Sequence, residues 1–217
     1  YLNKTDNKEV QKREDGNSLF VLIEKWLERT PFLDWGKTSF WKEYETAVKK
    51  MLSDDREIIE TNKKLSDNEK KKYLNEYKKT EKSFGVVLNE KEHSKLVESG
   101  SWRLSYKATQ AALLILLYRD QPILHNPYLL ITKLADVDEL FTTWRYRHVL
   151  MVSRMIGKKI GTGGSTGSSY LSETAQKHRI FSDLSELTTF LIPRSALPEL
   201  PKEIKDELNF YFHVREK

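Results

Sequence analysis

The chain has 217 residues, of which 38% are hydrophobic and 32% charged, and its net charge is +5. Cysteine is absent, which excludes a disulfide scaffold, cysteine-ligated zinc, an iron–sulfur cluster and thiol catalysis. No apolar run reaches the roughly 18–20 residues that a membrane span needs. Because the first residues are charged and lack an apolar stretch, we expect no signal sequence. From these features we expect a cytoplasmic protein that does not bind membranes. Because the basic residues are interleaved with acidic ones, we expect no binding of nucleic acid.

The first two helices are predicted from capping residues and apolar spacing. Ser18 can cap a helix, because apolar residues follow at i, i+3, i+4, i+7 and i+8. These are Leu19, Leu22, Ile23, Trp26 and Leu27. Thr30 precedes a proline and therefore ends this helix. Ser39 or Thr38 can cap the second helix.

A lysine- and glutamate-rich segment covers residues 49–95. Within it, Ser66 lies three residues before Glu69, which is the spacing of a capping box. Residues 70–82 then have the charge pattern of a solvent-exposed helix with ion pairs between neighbouring turns. We predict a projecting, charged helical hairpin that carries no chemistry of its own.

The strongest apolar helices follow Gly100. An unbroken apolar block within 104–118 predicts a buried helix. The elements predicted after it are a short helix Pro127–Leu134, a long helix from Asp136 or Asp138 to about Ile156, a glycine- and serine-rich loop at 157–169, and helices at 170–175 and 180–191. Since alternating apolar and polar residues are nearly absent, the predicted fold class is all-α.

One of the five histidines lies within an apolar helical stripe. The members of this stripe recur every three or four residues and share one helix face. They are Leu140, Trp144, His148, Met151, Val152 and Met155. We expect this face to be buried. An imidazole in such a place has two ring nitrogens to satisfy. One interpretation is a core histidine that donates to a backbone carbonyl.

The same surroundings also suit a haem. The lone pair of a neutral imidazole at His148 can ligate iron, while flat or soft side chains cover the porphyrin. Three arginines on neighbouring faces could pair with the haem propionates. They are Arg145, Arg147 and Arg154. Zinc or non-haem iron is less well supported, because no second ligand occurs at suitable spacing on the stripe. The helix alone leaves both interpretations of His148 open.

A glycine-rich loop follows the histidine helix directly. Residues 161–169 read Gly-Thr-Gly-Gly-Ser-Thr-Gly-Ser-Ser, and their amides and hydroxyls could bind a carboxylate or a phosphate. The loop is not a phosphate-binding loop of nucleotide hydrolases, because the required lysine and the preceding strand are missing. Taken alone it is typical of a plain surface loop, although loops beside cofactors often contact substrate.

Taken together, these segments resemble the tryptophan 2,3-dioxygenase family. The matching pieces are Glu24–Pro31 (EKWLERTP), Arg103–Ala108 (RLSYKA), Tyr118-Arg119, Trp144–Val149 (WRYRHV), Gly161–Ser165 (GTGGS) and Phe190–Arg194 (FLIPR). Each piece is weak alone, but the family's order and the family's separation between the histidine and the loop make the set specific. The similarity covers most of 19–194, and the charged hairpin is the least similar stretch.

The resemblance implies a haem b enzyme, with one haem per active site. Such an enzyme inserts both atoms of O₂ across the indole C2–C3 bond of L-tryptophan and forms N-formylkynurenine, which is the first step of the kynurenine route. It implies that His148 is the proximal ligand of the haem iron, and that Thr162 holds the amino-acid end of tryptophan on a loop shaped by Gly161 and Gly163. The residues expected beside the haem are Trp144, Arg145, Arg147, Val152 and Met155.

The resemblance covers roughly the C-terminal half of the family's enzymes. In the family, the distal histidine, the arginine that clamps the substrate carboxylate and the walls of the indole pocket lie in the N-terminal half. We therefore expect this chain to act only beside that half, as a separate chain or a missing segment, within a homotetramer. The expected organisation is a polar arm or linker at 1–17, an all-α haem-dioxygenase core at 18–48 and 96–217, and the hairpin at 49–95.

Other functions remain open at this point. A related haem dioxygenase could act on other indoleamines, because most of the substrate pocket lies outside this sequence. A non-catalytic helical module could hold a protein partner with its hairpin and keep His148 in its core. Nucleic-acid binding through the lysines predicts a steep salt dependence and is the least supported. The segment around Trp26, Arg29 and Pro31 packs and ends a helix, or else borders an interface or an accessory ligand surface.

Overall fold

A computed structural model describes residues 18–156 and 180–209 of the chain. All regular secondary structure within these residues is helical, and one isolated bridge joins Asp34 to Ser39. The helices are α1 Leu19–Glu28, α2 Phe40–Thr61, α3 Asp67–Leu88, α4 Glu90–Glu98, α5 Tyr106–Leu117, α6 Pro122–Ile156, α7 Ser182–Glu186, the 3-10 helices Leu187–Phe190 and Arg194–Ala196, and α8 Lys202–Leu208. The predicted all-α fold is confirmed. In this part of the chain, no helix is long and apolar enough to cross a membrane.

The chain divides into two compact units. The first contains Tyr1–Lys25 and Leu129–Ser185, and the second contains Trp26–Tyr128 and Glu186–Lys217. Helices α1 and α6 contribute residues to both units. The division into arm, core and hairpin that the sequence indicates stays a prediction.

Capping residues set the starts of α2 and α3 in the second unit. Ser39 begins α2 as predicted, and its Oγ accepts from the Lys42 amide at 3.4 Å. Ser66 begins α3 with a complete capping box, in which the Ser66 amide donates to Glu69 Oε2 at 2.9 Å and the Glu69 amide donates to Ser66 Oγ at 3.4 Å. These two bonds satisfy donors that a helix start leaves open. Helix α3 is longer than predicted and continues to Leu88.

Helix α5 forms the centre of the second unit. Ser105 caps it by accepting from the Ala108 amide at 3.2 Å. Its buried residues are Ala108, Thr109, Ala111, Ala112, Leu113, Leu114, Ile115 and Leu116. They cover every side of the helix, so the buried helix predicted from the apolar block is confirmed. Burying one such leucine stabilises the fold by roughly 1.5–3 kcal/mol.

Three polar contacts connect residues within this core. The Tyr44 hydroxyl donates to the Phe190 carbonyl at 2.5 Å, and burial raises the pKa of Tyr44 well above its ordinary value. His93 is fully buried, and its Nε2 lies 3.2 Å from Thr109 Oγ1, which also accepts from Trp102 Nε1 at 3.1 Å. These bonds reduce the cost of burying polar groups in an apolar core.

Helix α6 differs from the sequence prediction. We expected a short helix at Pro127–Leu134 and a second helix starting at Asp136 or Asp138, but one continuous helix runs from Pro122 to Ile156 with Pro127 inside it. A proline removes one backbone hydrogen bond but does not by itself end a helix so close to its start. Neither aspartate begins a helix, because the chain is already helical at both positions.

Candidate functional site

The histidine stripe of α6 is apolar but not buried within the described residues. The exposed fractions are 68% for Leu140, 61% for Trp144, 50% for Met151 and 77% for Met155, while His148 and Val152 are half-buried. Val137 and Phe141 continue the same face and are also exposed. The expectation of a buried face was therefore wrong for this part of the chain. The pattern predicted correctly that the face is apolar, but the residues that the structure describes do not cover it.

His148 is held flat against its neighbour one turn earlier. The rings of Trp144 and His148 stack with their centroids 5.5 Å apart and their planes 12° apart. Residues four apart lie above one another on a helix, which allows this stacking. The stacking aligns the plane of the imidazole with that of the indole on the apolar face of the helix.

Arginines lie along both edges of this apolar face. At about 100° per residue, Arg145 falls on one edge, and Arg147 and Arg154 fall on the other. Arg147 and Arg154 are exposed, whereas Arg145 is half-buried and its guanidinium lies 5.9 Å from the centroid of the Phe141 ring. A planar, apolar surface with cations at its edges is complementary to a flat, apolar ligand with anionic groups at its rim.

A groove opens next to the histidine on this face. Its volume is about 450 Å³, and the described residues that line it are Val137, Leu140, Phe141 and Trp144. Small-molecule and cofactor sites have volumes of roughly 300–1,000 Å³ and mostly apolar linings with a few polar groups. The groove, the stacked imidazole and the edge arginines therefore fit one face of a haem. The residues predicted to contact haem, namely Trp144, Arg145, Arg147, Val152 and Met155, all lie on this helix around His148.

The buried side of α6 carries a carboxylate whose burial the sequence analysis did not predict. Asp138 is only 4% exposed, and its carboxylate accepts from the backbone amides of Ile180 and Phe181. Sequence reasoning treated Asp138 as a possible helix start. The available signal was its position on the same side as Ile131 and Val149, both of which are buried.

The predicted substrate-binding residues Gly161, Thr162 and Gly163 lie outside the described residues. Their role stays a prediction.

A second groove involves the segment that the sequence singled out near Thr30. It has a volume of about 460 Å³. Its lining residues are Trp26, Arg29, Thr30, Pro31, Phe32, Ile115, Ile123, Leu124 and Pro127. Phe32 has a backbone φ of +72°, which is unusual for a bulky residue, and its carbonyl accepts from Trp35 Nε1 at 2.8 Å. This turn separates α1 from α2 and leaves the groove open beside it.

Comparison with known proteins shows the family of the chain. The family model described as tryptophan 2,3-dioxygenase matches residues 1–191. The chain belongs to the tryptophan 2,3-dioxygenase family. A relative named tryptophan 2,3-dioxygenase from Bdellovibrio bacteriovorus is 52% identical over 90% of this chain and 54% of its own length. Proteins of the same name from Dictyostelium discoideum and Mus musculus are 43% and 40% identical over 99% and 89% of this chain.

The chain spans about half the length of the tryptophan 2,3-dioxygenases that it matches. The shares are 54% for the Bdellovibrio and Dictyostelium proteins and 48% for the mouse protein. The resemblance seen in the sequence motifs is thereby confirmed at the level of the family.

Proposed function

We propose that this chain supplies one side of the active site of a haem-dependent dioxygenase. The reaction is cleavage of the indole C2–C3 bond of L-tryptophan by O₂, which gives N-formylkynurenine as the first step of tryptophan catabolism by the kynurenine route. The observation that best supports this proposal is the α6 apolar face, where His148 is stacked on Trp144 in the middle of exposed apolar side chains. We place the reaction in the cytoplasm, as the composition suggests.

In this proposal, the residues of α6 that surround His148 would hold haem b. His148 would offer the lone pair of its imidazole to the haem iron, and the stacking on Trp144 would keep the two ring planes aligned. Val152 and Met155 add apolar surface against the macrocycle. Arg145 and Arg147 pair with the propionates from opposite edges of the face. Haem b supplies the redox-active iron that the O₂ chemistry requires.

The substrate side of the proposal depends on the loop after α6. Thr162 binds the amino-acid end of L-tryptophan through its hydroxyl, and Gly161 and Gly163 let the backbone amides approach the same group. Both atoms of O₂ end in the product, so the overall reaction consumes no external reductant. The protein's part is to orient the indole and to exclude water from the reacting atoms.

The proposal includes a partner. We expect the rest of the active site to come from the half of the relatives' length that this chain does not match, either as a separate chain or as a connected segment. We further propose that the complete protein is a homotetramer. The exposed α6 face supports the need for a partner, because exposed apolar patches of this kind mark interaction or ligand surfaces.

The first experiment tests haem binding at His148. The chain is produced together with the unmatched half of the Bdellovibrio bacteriovorus relative, and this pair is called the assembled protein below. We expect a Soret band and formation of N-formylkynurenine from L-tryptophan. His148→Ala should abolish both. His125→Ala is the matched control, because His125 is an exposed histidine on the same helix, and it should change neither.

The outcomes separate the competing functions. An unchanged Soret band in His148→Ala would contradict the role of His148, and a stable, colourless wild-type protein would favour a helical interaction module. Turnover of other indoleamines as fast as L-tryptophan would favour the related dioxygenase. Full turnover by the isolated chain with added haem would contradict the need for a second half.

A further inference from the structure

Phe141 and Trp144 both line the groove on α6, and the ring of each contacts a side chain one turn further along the helix. The Arg145 guanidinium lies over the Phe141 ring, with 5.9 Å between Cζ and the ring centroid, and the Trp144 ring stacks on His148. Both pairs have i,i+4 spacing, which places one side chain over the other on a helix. The proposed function uses Trp144, Arg145 and His148 but gives Phe141 no role.

The contact between Phe141 and Arg145 is a cation–π interaction. Such an interaction forms when a guanidinium lies within about 6 Å of a ring centroid, and it becomes stronger as water is excluded. Arg145 is half-buried, whereas Phe141 is 50% exposed. The ring therefore restricts the arginine and still borders the groove.

A ring contact of this kind prepares an arginine to bind an anion. A long side chain loses conformational freedom when it pairs with a ligand, and a side chain that is already restricted loses less. Contact with a ring satisfies none of the five N–H donors of a guanidinium, which are the groups that bond a carboxylate. Arg145 lies at the edge of the apolar face, where the proposed function expects a haem propionate. Restricting this arginine should therefore strengthen haem binding.

We propose that Phe141 is a positioning residue for haem, which holds the Arg145 guanidinium at the edge of the groove where a propionate pairs with it. This inference rests on the proposed function. The role is exerted through a second residue and concerns an ionic contact. It differs from the apolar contact that Phe141 would make with haem as one more member of the exposed face. The two roles predict different results when Arg145 or the propionates are changed.

The first test measures the rate at which the assembled protein loses haem. Phe141→Leu replaces the ring by another apolar side chain, and it should increase this rate about two- to fivefold, which is the range expected for an exposed cation–π contact. Phe141→Tyr keeps a ring and should retain the wild-type rate. Transfer of haem to an excess of a haem-scavenging protein, followed at the Soret band, gives the rates.

Tyr146→Leu is the matched control, because it also replaces an aromatic residue of α6 by leucine. Tyr146 is 61% exposed and lies about 140° around the helix from Phe141. This substitution should leave the rate of haem loss unchanged. An equal increase in Tyr146→Leu would mean that the loss of any aromatic ring from α6 weakens haem binding, and the proposal would be wrong.

A double-mutant cycle distinguishes the two roles of Phe141. Arg145→Met removes the charge and keeps an unbranched side chain. If Phe141 acts through Arg145, adding Phe141→Leu to Arg145→Met should cause no further increase in the rate of haem loss. The full two- to fivefold increase in that background would mean that the ring contacts haem directly, and it would overturn the proposal.

The dimethyl ester of haem provides an independent test, because its esterified propionates carry no negative charge. In the assembled protein loaded with this ester, the wild type and Phe141→Leu should lose the group at equal rates. A difference as large as the one measured with haem would contradict the role of the propionates. This comparison needs no change at Arg145, so it decides the question even if Arg145→Met does not fold.

Failure of this inference and failure of the proposed function give different results. A wild-type assembled protein that binds no haem would refute the proposed function, and the role of Phe141 would fall with it. If the wild type binds haem and converts L-tryptophan, but Phe141→Leu loses haem no faster, the role of Phe141 alone is refuted.

Discussion

Two apolar helices of this chain differ in how far they are buried. Helix α5 is buried on every side, with Leu113 and Leu114 at 0% exposure, whereas α6 keeps an apolar face on which Leu140 and Met155 are more than half exposed. Sequence pattern predicts both helices as buried. The difference shows that an apolar pattern indicates a surface that becomes buried. It does not indicate which residues or molecules bury that surface. Residues of the second unit bury α5. The described residues do not bury the apolar face of α6.

The largest expected effect tests this comparison directly. Leu113→Ala in α5 should destabilise the isolated chain by about 2–5 kcal/mol, because it leaves a cavity in a packed core. Leu140→Ala in α6 removes the same atoms from an exposed site and should change stability by no more than about 0.5 kcal/mol. Urea unfolding followed by circular dichroism measures both. Equal losses for the two variants would mean that the α6 face is covered within the chain.

A smaller effect is expected at Tyr44. Tyr44→Phe removes the donor to the Phe190 carbonyl and should cost about 1–3 kcal/mol, because a buried acceptor loses its partner. Tyr73→Phe on the exposed side of α3 is the control and should have little effect. If Tyr73→Phe cost as much as Tyr44→Phe, the buried bond would not be the cause.

The Tyr44 contact also predicts a pH dependence. Burial raises the pKa of Tyr44 above its ordinary value of 10.0. In the unfolded chain the phenol loses its proton above about pH 10 while the folded chain still retains it. Stability from this group is therefore complete below pH 10 and falls as pH rises further. Unfolding midpoints measured from pH 9 to 11 should fall less steeply for Tyr44→Phe than for the wild type.

The smallest effect concerns the capping box of α3. Ser66→Ala removes the acceptor for the Glu69 amide and should destabilise the helix by about 1 kcal/mol. Ser83→Ala, in the middle of the same helix, removes a hydroxyl that bonds only the Lys79 carbonyl, and it should be neutral or slightly stabilising. Thermal unfolding compares the two variants.

An NMR titration of Glu69 checks the same contact. Bonds from the Ser66 hydroxyl and amide lower the pKa of Glu69, so the stability that they add is present at neutral pH and is lost as pH falls through the lowered pKa. In Ser66→Ala the pKa of Glu69 should move back toward its ordinary value. An unmoved pKa would show that the hydroxyl does not bond the carboxylate.

Local signals were enough to predict most of the helices. Ser39, Ser66 and the apolar block of α5 act within a few residues of themselves, so the sequence contains the whole cause of each feature. The continuity of α6 through Pro127 could not be predicted in this way. It depends on whether packing along the rest of a long helix outweighs the loss of one backbone hydrogen bond.

The same distinction between local and long-range causes applies to the candidate site. The stripe around His148 follows from helical spacing, and the family resemblance followed from short ordered motifs. The exposure of the stripe and the hydrogen bonds to the Asp138 carboxylate could not be foreseen, because both depend on which distant residues come near the helix. Ile180 and Phe181 are 42 and 43 positions away from Asp138, and no local pattern connects them.

The long separation in sequence between Asp138 and the two amides that donate to it affects how the chain folds. The Ser66 capping box joins residues three apart and can form as soon as one helical turn exists. The bonds to Asp138 form only after two distant stretches of an unfolded chain come together. Contacts of this kind form slowly. We expect the charged hairpin to acquire structure early and the attachment of residues 180–181 to α6 to come late. Newly made copies of the chain would then pass through an interval in which the helix that carries His148 already exists but the chain has not yet returned to it.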